Sequence, residues 1–281
     1  LYQQLMEPLL ELTEKKHMII VPDKELWHLN FDLLLTEDGK NQNYRELPYL
    51  LKKKVISYAN SATLLLKKNR DITDRGANCL AISYFDEETY KGDNSIVSFS
   101  NLRNDVVDLP GTRDEIRRIS RIIDGKYLYG QSASEKNFIE NAGDYSILHI
   151  ALHGEIDGQN PENSRLIFYA SQVDSLYDNI LYSHELYALN LPAKLTVLSA
   201  CNTGTGSLNT GEGIINLGHA FQYAGTESLL LSAWEVADLA APALCSLPES
   251  RWQSCRLCFR RIPWHHRRRF PNGPSPDGVR G

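Results

Sequence analysis

Two short and almost uninterrupted apolar runs limit what this chain can fold into: residues 145–152 (Y-S-I-L-H-I-A-L) and residues 195–200 (L-T-V-L-S-A). A half-exposed strand alternates apolar and polar residues, whereas a run without alternation suits a strand covered on both faces. Such strands lie at the centre of a parallel sheet, and parallel neighbours need long crossover connections, usually helices. The chain supplies them. Residues 112–123 carry Ile116, Ile119, Ile122 and Ile123 at helical spacing, with Thr112 as N-cap and Glu115 three residues on as a capping box. Residues 134–141 form a second helix with Phe138 and Ile139 inward, and residues 183–189 a third. Residues 213–223 form a fourth, with Ile214, Leu217 and Phe221 on one side. Further strands fall at 79–84, 126–129, 165–169 and 227–232. This alternation predicts an α/β fold, a mostly parallel central sheet with helices on both faces.

Residues 1–71 read as a smaller α/β part placed before it. Leu5, Leu9 and Leu12 give a helical stripe over 1–16, residues 17–21 a strand stopped by Pro22-Asp23, and residues 55–59 a second strand. An apolar segment around Trp27 and Phe31 lies between them, and Ser61 is the N-cap of a helix through 64–66. Residues 72–243 then make the larger part, with a polar loop over 85–104. The tail, 244–281, has no apolar period, five of the 12 prolines and a Trp-His-His-Arg-Arg-Arg cluster. A segment of that composition is expected to be disordered and atypical of the rest.

Charge and cysteine usage narrow the function classes. Of 30 Lys+Arg and 35 Asp+Glu, 8 arginines but only 2 acids lie beyond residue 240, so the body is acidic and the tail basic. The acidic body argues against nucleic acid as a partner. No apolar run approaches the ~18 residues that cross a bilayer, so no membrane partner is expected. Cys79 and Cys201 are the only cysteines of the body, too few for a disulfide framework. A reducing compartment, the cytoplasm, is the natural location. Leu1 already lies in a helical pattern, so the chain is expected to be a fragment of a larger protein. The glycines of 204–213 lack the G-K-[ST] of a phosphate loop.

The chemistry gathers at the ends of the two apolar runs. One leads to His153-Gly154 and the other to Cys201-Asn202-Thr203-Gly204. In a parallel sheet, catalytic groups collect at the carboxyl ends of strands. A thiol whose proton passes to a nearby imidazole is a nucleophile, and a glycine beside the imidazole frees a backbone N–H for a substrate oxygen. Gly154 and Cys201 are therefore the candidate oxyanion donors. His153 and Cys201 are 48 residues apart, close to the interval of about 50 between His and Cys in caspases. The plainer reading of Cys201 is an inert buried thiol, and of His153 a satisfied core histidine. His149, on the same face of the run as His153, reads as structural support. Zinc would need His149 and His153 to share one ion, but four strand residues span about 13 Å. Cys255 and Cys258 with His265 and His266 resemble half a zinc finger, without the usual gap between histidines.

The order of strand-His-Gly followed by strand-Ala-Cys resembles the caspase, separase and gingipain clan of cysteine peptidases. Finer features resemble one branch, the CHAT family, usually associated with tetratricopeptide (TPR) repeats. They are V-P-D at 21–23, S-Y-A-N-S-A-T-L-L-L at 57–66, L-P-G-T-R-D-E at 109–115 and H-I-A-L-H-G at 149–154. L-S-A-C-N-T-G at 198–204, G-E-G at 211–213, A-F-Q-Y-A-G at 220–225 and S-A-W-E-V-A-D at 232–238 complete the set, in order, over about 240 residues.

The resemblance implies a caspase-like sandwich and a cysteine endopeptidase, the effector domain of a larger TPR-containing protein. His153 and Cys201 would be catalytic, and protein or peptide the substrate, with no metal or organic cofactor. The upstream repeats and their ligands would be the regulatory partners. It also implies a substrate-lining segment near Ser232 and Trp234. Relatives that prefer a basic residue use carboxylates, for which Asp86, Glu155 and Asp157 are the candidates, along with Glu87. Ser199 stands where some relatives hold an Asp, and the family pattern is lost after about Ala243. The alternative is a catalytically silent pseudopeptidase acting as a scaffold or interaction module.

Overall fold

The parallel register of the central strands sets the positions of everything around them. A computed structural model describes residues 1–12, 14–39, 43–59, 62, 78–84, 109–169, 176–199, 207–209, 213–215, 217–232 and 259–263. Its N-terminal part holds two single helical turns, α1 (Tyr2–Leu5) and α2 (Glu7–Leu10), and two strands, β1 (His17–Ile20) and β2 (Val55–Tyr58), paired in parallel. The single helix expected over 1–16 is broken because Pro8 enters the first turn of α2, and a proline ring excludes the carbonyl four residues earlier. Met6 is the buried residue there, while Leu9 and Leu12 of the expected stripe are exposed. Between β1 and β2 the chain makes 3₁₀ turns that bury Trp27, Phe31 and Leu50. The buried Tyr58 hydroxyl accepts from the Phe31 amide (3.0 Å) and donates to Asp32 (3.3 Å).

The larger part runs β3 (Cys79–Ser83), α3 (Pro110–Ile119), β4 (Gly125–Tyr129), α4 (Glu135–Asn141) and β5 (Ile147–Ala151). It continues through β6 (His153–Glu155), β7 (Arg165–Ile167), β8 (Ile180–Tyr182), α5 (Ser183–Leu186) and β9 (Leu195–Leu198). Last come β10 (Ser207–Asn209), β11 (Gly213–Ile215), α6 (Leu217–Tyr223), β12 (Ser228–Ser232) and β13 (Phe259–Pro263). The central sheet has the order β13-β12-β9-β5-β3-β4, parallel throughout except for β13. Strands β6, β7 and β8 form a separate antiparallel sheet, and β10 pairs with β11. This is the α/β fold with a mostly parallel central sheet that the alternating pattern predicts, and it is consistent with the caspase-like sandwich that the resemblance implies.

Two expectations fail locally. The helix predicted over 213–223 begins only at Leu217, because Gly213–Ile215 is a strand opposite Ser207–Asn209. Glycine weakens a helix and a pair of isoleucines suits a pleated surface, so the hairpin wins there. In the tail expected to lack structure, Phe259–Pro263 runs antiparallel to Ser228–Ser232 and covers the edge of β12. A strand edge presents unpaired N–H and C=O groups, which an extended segment can satisfy without an apolar period, its proline lying at the end of the strand. The rest of 244–281, the helix expected through 64–66 and the loop expected over 85–104 lie outside the described residues.

The two faces of the sheet are built differently. Toward α3 the strands present Cys79, Ala81 and Ala151, all buried and small, against Ile116 and Ile119. On the other side Leu80, Ile82, Leu148, Ile150 and Leu198 meet Phe138 of α4 and Phe221 of α6. Strand side chains alternate faces, so Cys-Leu-Ala-Ile in β3 serves a close helix with its small residues and a thick core with its large ones. No helix among the described residues is long and apolar enough to cross a membrane.

The edge of this arrangement gives a stability test. Gly125 opens β4 opposite Cys79, and a Cβ there would collide with the Cys79 backbone carbonyl. Gly125→Ala should destabilise the domain by about 2 kcal/mol, the usual cost of forcing atoms into a packed site. Urea unfolding followed by circular dichroism measures this; an unchanged midpoint would mean that β3 and β4 do not approach so closely.

Candidate active site

Strands β5 and β9 are nearest neighbours and parallel, so their carboxyl ends lie at one edge of the sheet. Paired residues across them, from Ile147↔Leu195 to Ile150↔Leu198, differ by 48 in number. The Ser199 amide donates to the Ile150 carbonyl (2.9 Å), carrying the ladder one step further. His153 lies two residues past the end of β5, and Cys201 two residues past Ser199. Cys201 itself lies outside the described residues.

His153 opens β6 and is buried. The Tyr84 ring stands edge-on to its imidazole, 4.6 Å between centroids at 77°. Tyr84 is held there by its amide, which donates to the Ala151 carbonyl (3.1 Å), and by a tilted contact with Tyr169 at 5.8 Å. The chain turns at Leu152, ending the alternation of β5, so His149 and His153 do not share one surface as expected. His149 faces α3, whereas His153 meets Tyr84 of the main core. Gly154 pairs with Leu166 in the antiparallel ladder β6–β7, and β6 is an edge strand of that sheet.

A buried polar cluster lies on the α3 side. His149 Nε2 is 2.7 Å from Glu115 Oε1, and Ser199 Oγ donates to Glu115 Oε2 at 3.0 Å. Glu115 is fully buried and His149 nearly so. The predicted capping box is thus replaced. The helix starts earlier, at Pro110, a residue suited to a first turn because it has no N–H to satisfy. Thr112 then sits inside the first turn, donating to the Leu109 carbonyl (2.7 Å) and meeting Ser83 Oγ (2.6 Å). Glu115 is left free to reach the sheet. The sequence did carry a signal, since Glu115 falls on the stripe of Ile116 and Ile119 where an apolar residue is expected. Tyr84 had no such signal.

The other candidate residues divide plainly. The Glu155 carboxylate is paired with Arg165 (2.6 and 2.7 Å), which also reaches the Tyr182 hydroxyl (3.2 Å). Asp157 accepts from the amides of Asn160 (2.8 Å) and Gln159 (2.9 Å), and these hold its carboxyl below the usual value. Ser232 ends β12 opposite Phe259. Asp86, Glu87, Trp234 and the tail residues Cys255, Cys258, His265 and His266 lie outside the described residues. Among the described residues no three His, Cys, Asp or Glu side chains gather to hold a metal ion. Glu135, at the start of α4, accepts from the amide of Asn179 (2.8 Å), a residue held at φ 66 beside β8. Burial pushes its carboxyl up to about 7, opposed by the Asn179 amide and reinforced by Asp178 and Glu185.

Compared with known proteins, residues 1–247 match the family model of the CHAT domain. No curated protein matches the chain.

Two measurements follow from these environments. Burial pushes the Cys79 thiol up to about 12, and a thiol reacts as its thiolate. Iodoacetamide at pH 8 should leave Cys79 unmodified in the native protein and label it after unfolding, read by peptide mass spectrometry; native labelling would place the thiol in solvent. For Glu135, the folded state holds the proton more tightly than the unfolded chain. Its contribution to stability is full below the ordinary value of 4.5 and is lost as pH rises through about 7. Wild type should therefore lose stability between pH 5 and pH 8, and Glu135→Gln should lose less. Parallel urea midpoints for the two proteins at both pH values would refute this.

Proposed function

The chain belongs to the CHAT domain family, which is related to the caspase-like peptidases, and on that premise we propose that it is a cysteine endopeptidase. Cys201 is the nucleophile, and His153 the general base and acid. The observation that carries this reading is the side-by-side, parallel pairing of β5 and β9 with a constant interval of 48, the same interval that separates His153 from Cys201. Two strands in that relation deliver their following residues to one edge of the sheet.

In the reaction, His153 takes the proton of the Cys201 thiol and the thiolate attacks the carbonyl carbon of the scissile bond. The amides of Gly154 and Cys201 stabilise the oxyanion, each donor worth about 2.7–4 kcal/mol in comparable sites. The imidazolium then protonates the departing amine, and water releases the acyl group by the reverse proton path. Burial of His153 against Tyr84 restricts the ring to few orientations, which favours proton transfer along one direction.

The substrate is a protein or peptide lying near Ser232 and Trp234. Asp86, Glu87, Glu155 and Asp157 remain the candidate acidic determinants of specificity. A basic side chain would have to displace Arg165 to use Glu155. Attachment to upstream TPR repeats and control by their ligands complete the reading by analogy with the family, and the few cysteines of the body favour a cytoplasmic location.

A thiol-directed probe and a peptide panel, applied to wild type, Cys201→Ala and His153→Ala, test it. Wild type should cleave at least one peptide. Cys201→Ala should abolish turnover, and His153→Ala should lower kcat/KM by about 10²–10⁴-fold. Selective labelling of Cys201 should disappear with His153→Ala. Slow, equal labelling of all accessible cysteines with no cleavage would instead make the chain a pseudopeptidase scaffold.

A further inference from the structure

The buried cluster on the α3 side touches both strands of the proposed dyad, and its chemistry is not what packing alone requires. Glu115 is fully buried on the side of the sheet that carries the apolar cluster of Ala81, Ala151, Ile116 and Ile119, and a leucine there would avoid desolvating a carboxyl group. Replacing buried ionisable clusters by apolar residues of similar volume is often neutral or stabilising. What an apolar residue lacks is direction. Each carboxyl oxygen of Glu115 has a different partner on a different strand: Oε1 meets His149 Nε2 of β5, and Oε2 accepts from Ser199 Oγ just past β9. His149 is four residues before His153, and Ser199 is two before Cys201.

We propose that Glu115 is a positioning residue that ties the middle of β5 and the residue just after β9 to α3 and thereby sets the distance between His153 and Cys201. This rests on the dyad assigned above and deepens it. The helix supplies a rigid anchor, because Thr112 ties its first turn to Ser83 of β3 (2.6 Å) and Ile116 and Ile119 pack on the sheet. The backbone ladder joins β5 to β9 as far as Ser199. Ser199 is the last described residue before Cys201, and its side-chain bond to Glu115 is the last described restraint before the nucleophile. A displacement of about 1 Å in a reacting group can cost about 100-fold in rate.

The test uses the full 281-residue chain and reads iodoacetamide alkylation of Cys201 against pH by peptide mass spectrometry, with thermal stability measured alongside. Wild type, His153→Ala, Ser199→Ala, Glu115→Gln and the apolar triple variant Glu115→Leu/His149→Leu/Ser199→Ala are compared. Ser199→Ala removes one arm with little risk to folding. It and Glu115→Gln should move the alkylation midpoint toward the ordinary thiol value of about 8.5, with a rate loss of up to about 100-fold at pH 6–7. The double variant Glu115→Gln/Ser199→Ala should be no worse than Glu115→Gln alone, as expected when both act through one link. The apolar triple variant should keep its melting temperature yet react as slowly as Glu115→Gln. A reactive thiol that depends on His153 but is untouched by Ser199→Ala and Glu115→Gln would overturn the clamp while leaving the dyad standing. Recovery of both stability and reactivity in the triple variant would do the same, reducing Glu115 to a packing role. A wild-type thiol indifferent to His153→Ala would overturn the dyad and, with it, the clamp.

Discussion

The hydrogen-bonded ladder between β5 and β9 is the constraint on which the rest of the structure depends. Parallel pairing fixes which residues lie at the same height, and because side chains alternate faces, a slip by one residue would exchange the two surfaces of a strand. In β5 such a slip would turn His149 away from Glu115 and into the core formed by Leu80, Ile82 and Leu198. Burying an imidazole there without its partner is costly, so the polar contact and the apolar core select the same register.

The layers around that ladder divide the work. Small residues on the α3 face let the helix come close enough for Glu115 to reach two strands, whereas larger residues on the opposite face fill a thicker core under α4 and α6. At the carboxyl end of β5 the chain leaves the sheet. After Ala151 it turns at Leu152 and enters a second, antiparallel sheet at His153, so the candidate base stands at the junction of two sheets. A junction of this kind places a side chain beside elements from both, as the contact of His153 with Tyr84 and of Tyr84 with Tyr169 illustrates. Loops or strand ends held on a rigid scaffold are where binding and catalytic groups are most often found. The carboxylates that follow, Glu155 and Asp157, are already engaged by Arg165 and by the turn's own amides, which stiffens the segment after the histidine.

Much of this was legible from residues alone. The near-continuous apolar runs correspond to β5 and β9, and the strands read at 79–84, 126–129 and 227–232 correspond to β3, β4 and β12. Helix α4 starts at the Ser134 cap, whose side chain accepts from the Asn137 amide (3.3 Å). Errors arose where a local motif had two physical uses. Thr112 with Glu115 fits a capping box, yet Pro110 allows the helix to start sooner and the sheet side offers Glu115 two hydrogen-bond partners. Gly213, Ile214 and Ile215 fit the first turn of an amphipathic helix, yet Ser207–Asn209 lies opposite and pairs with them. The strand at Phe259–Pro263 had no sequence signal, because an edge strand paired through its backbone needs no apolar alternation to be read in the sequence.

By itself the sequence determined the class of fold, the main strands of the parallel sheet and the two places where a histidine and a cysteine follow buried strands. Those features are properties of short stretches: apolar period, turn residues and the position of a group relative to the end of a run. Only the tertiary structure decided that β5 and β9 are neighbours, that His149 and His153 part company at Leu152, and that Glu115 serves the sheet rather than its own helix. Each of these joins residues tens of positions apart. Such contacts are selected by the packing of whole elements and by the need of every buried polar group for a partner, and neither can be read within a window of the chain.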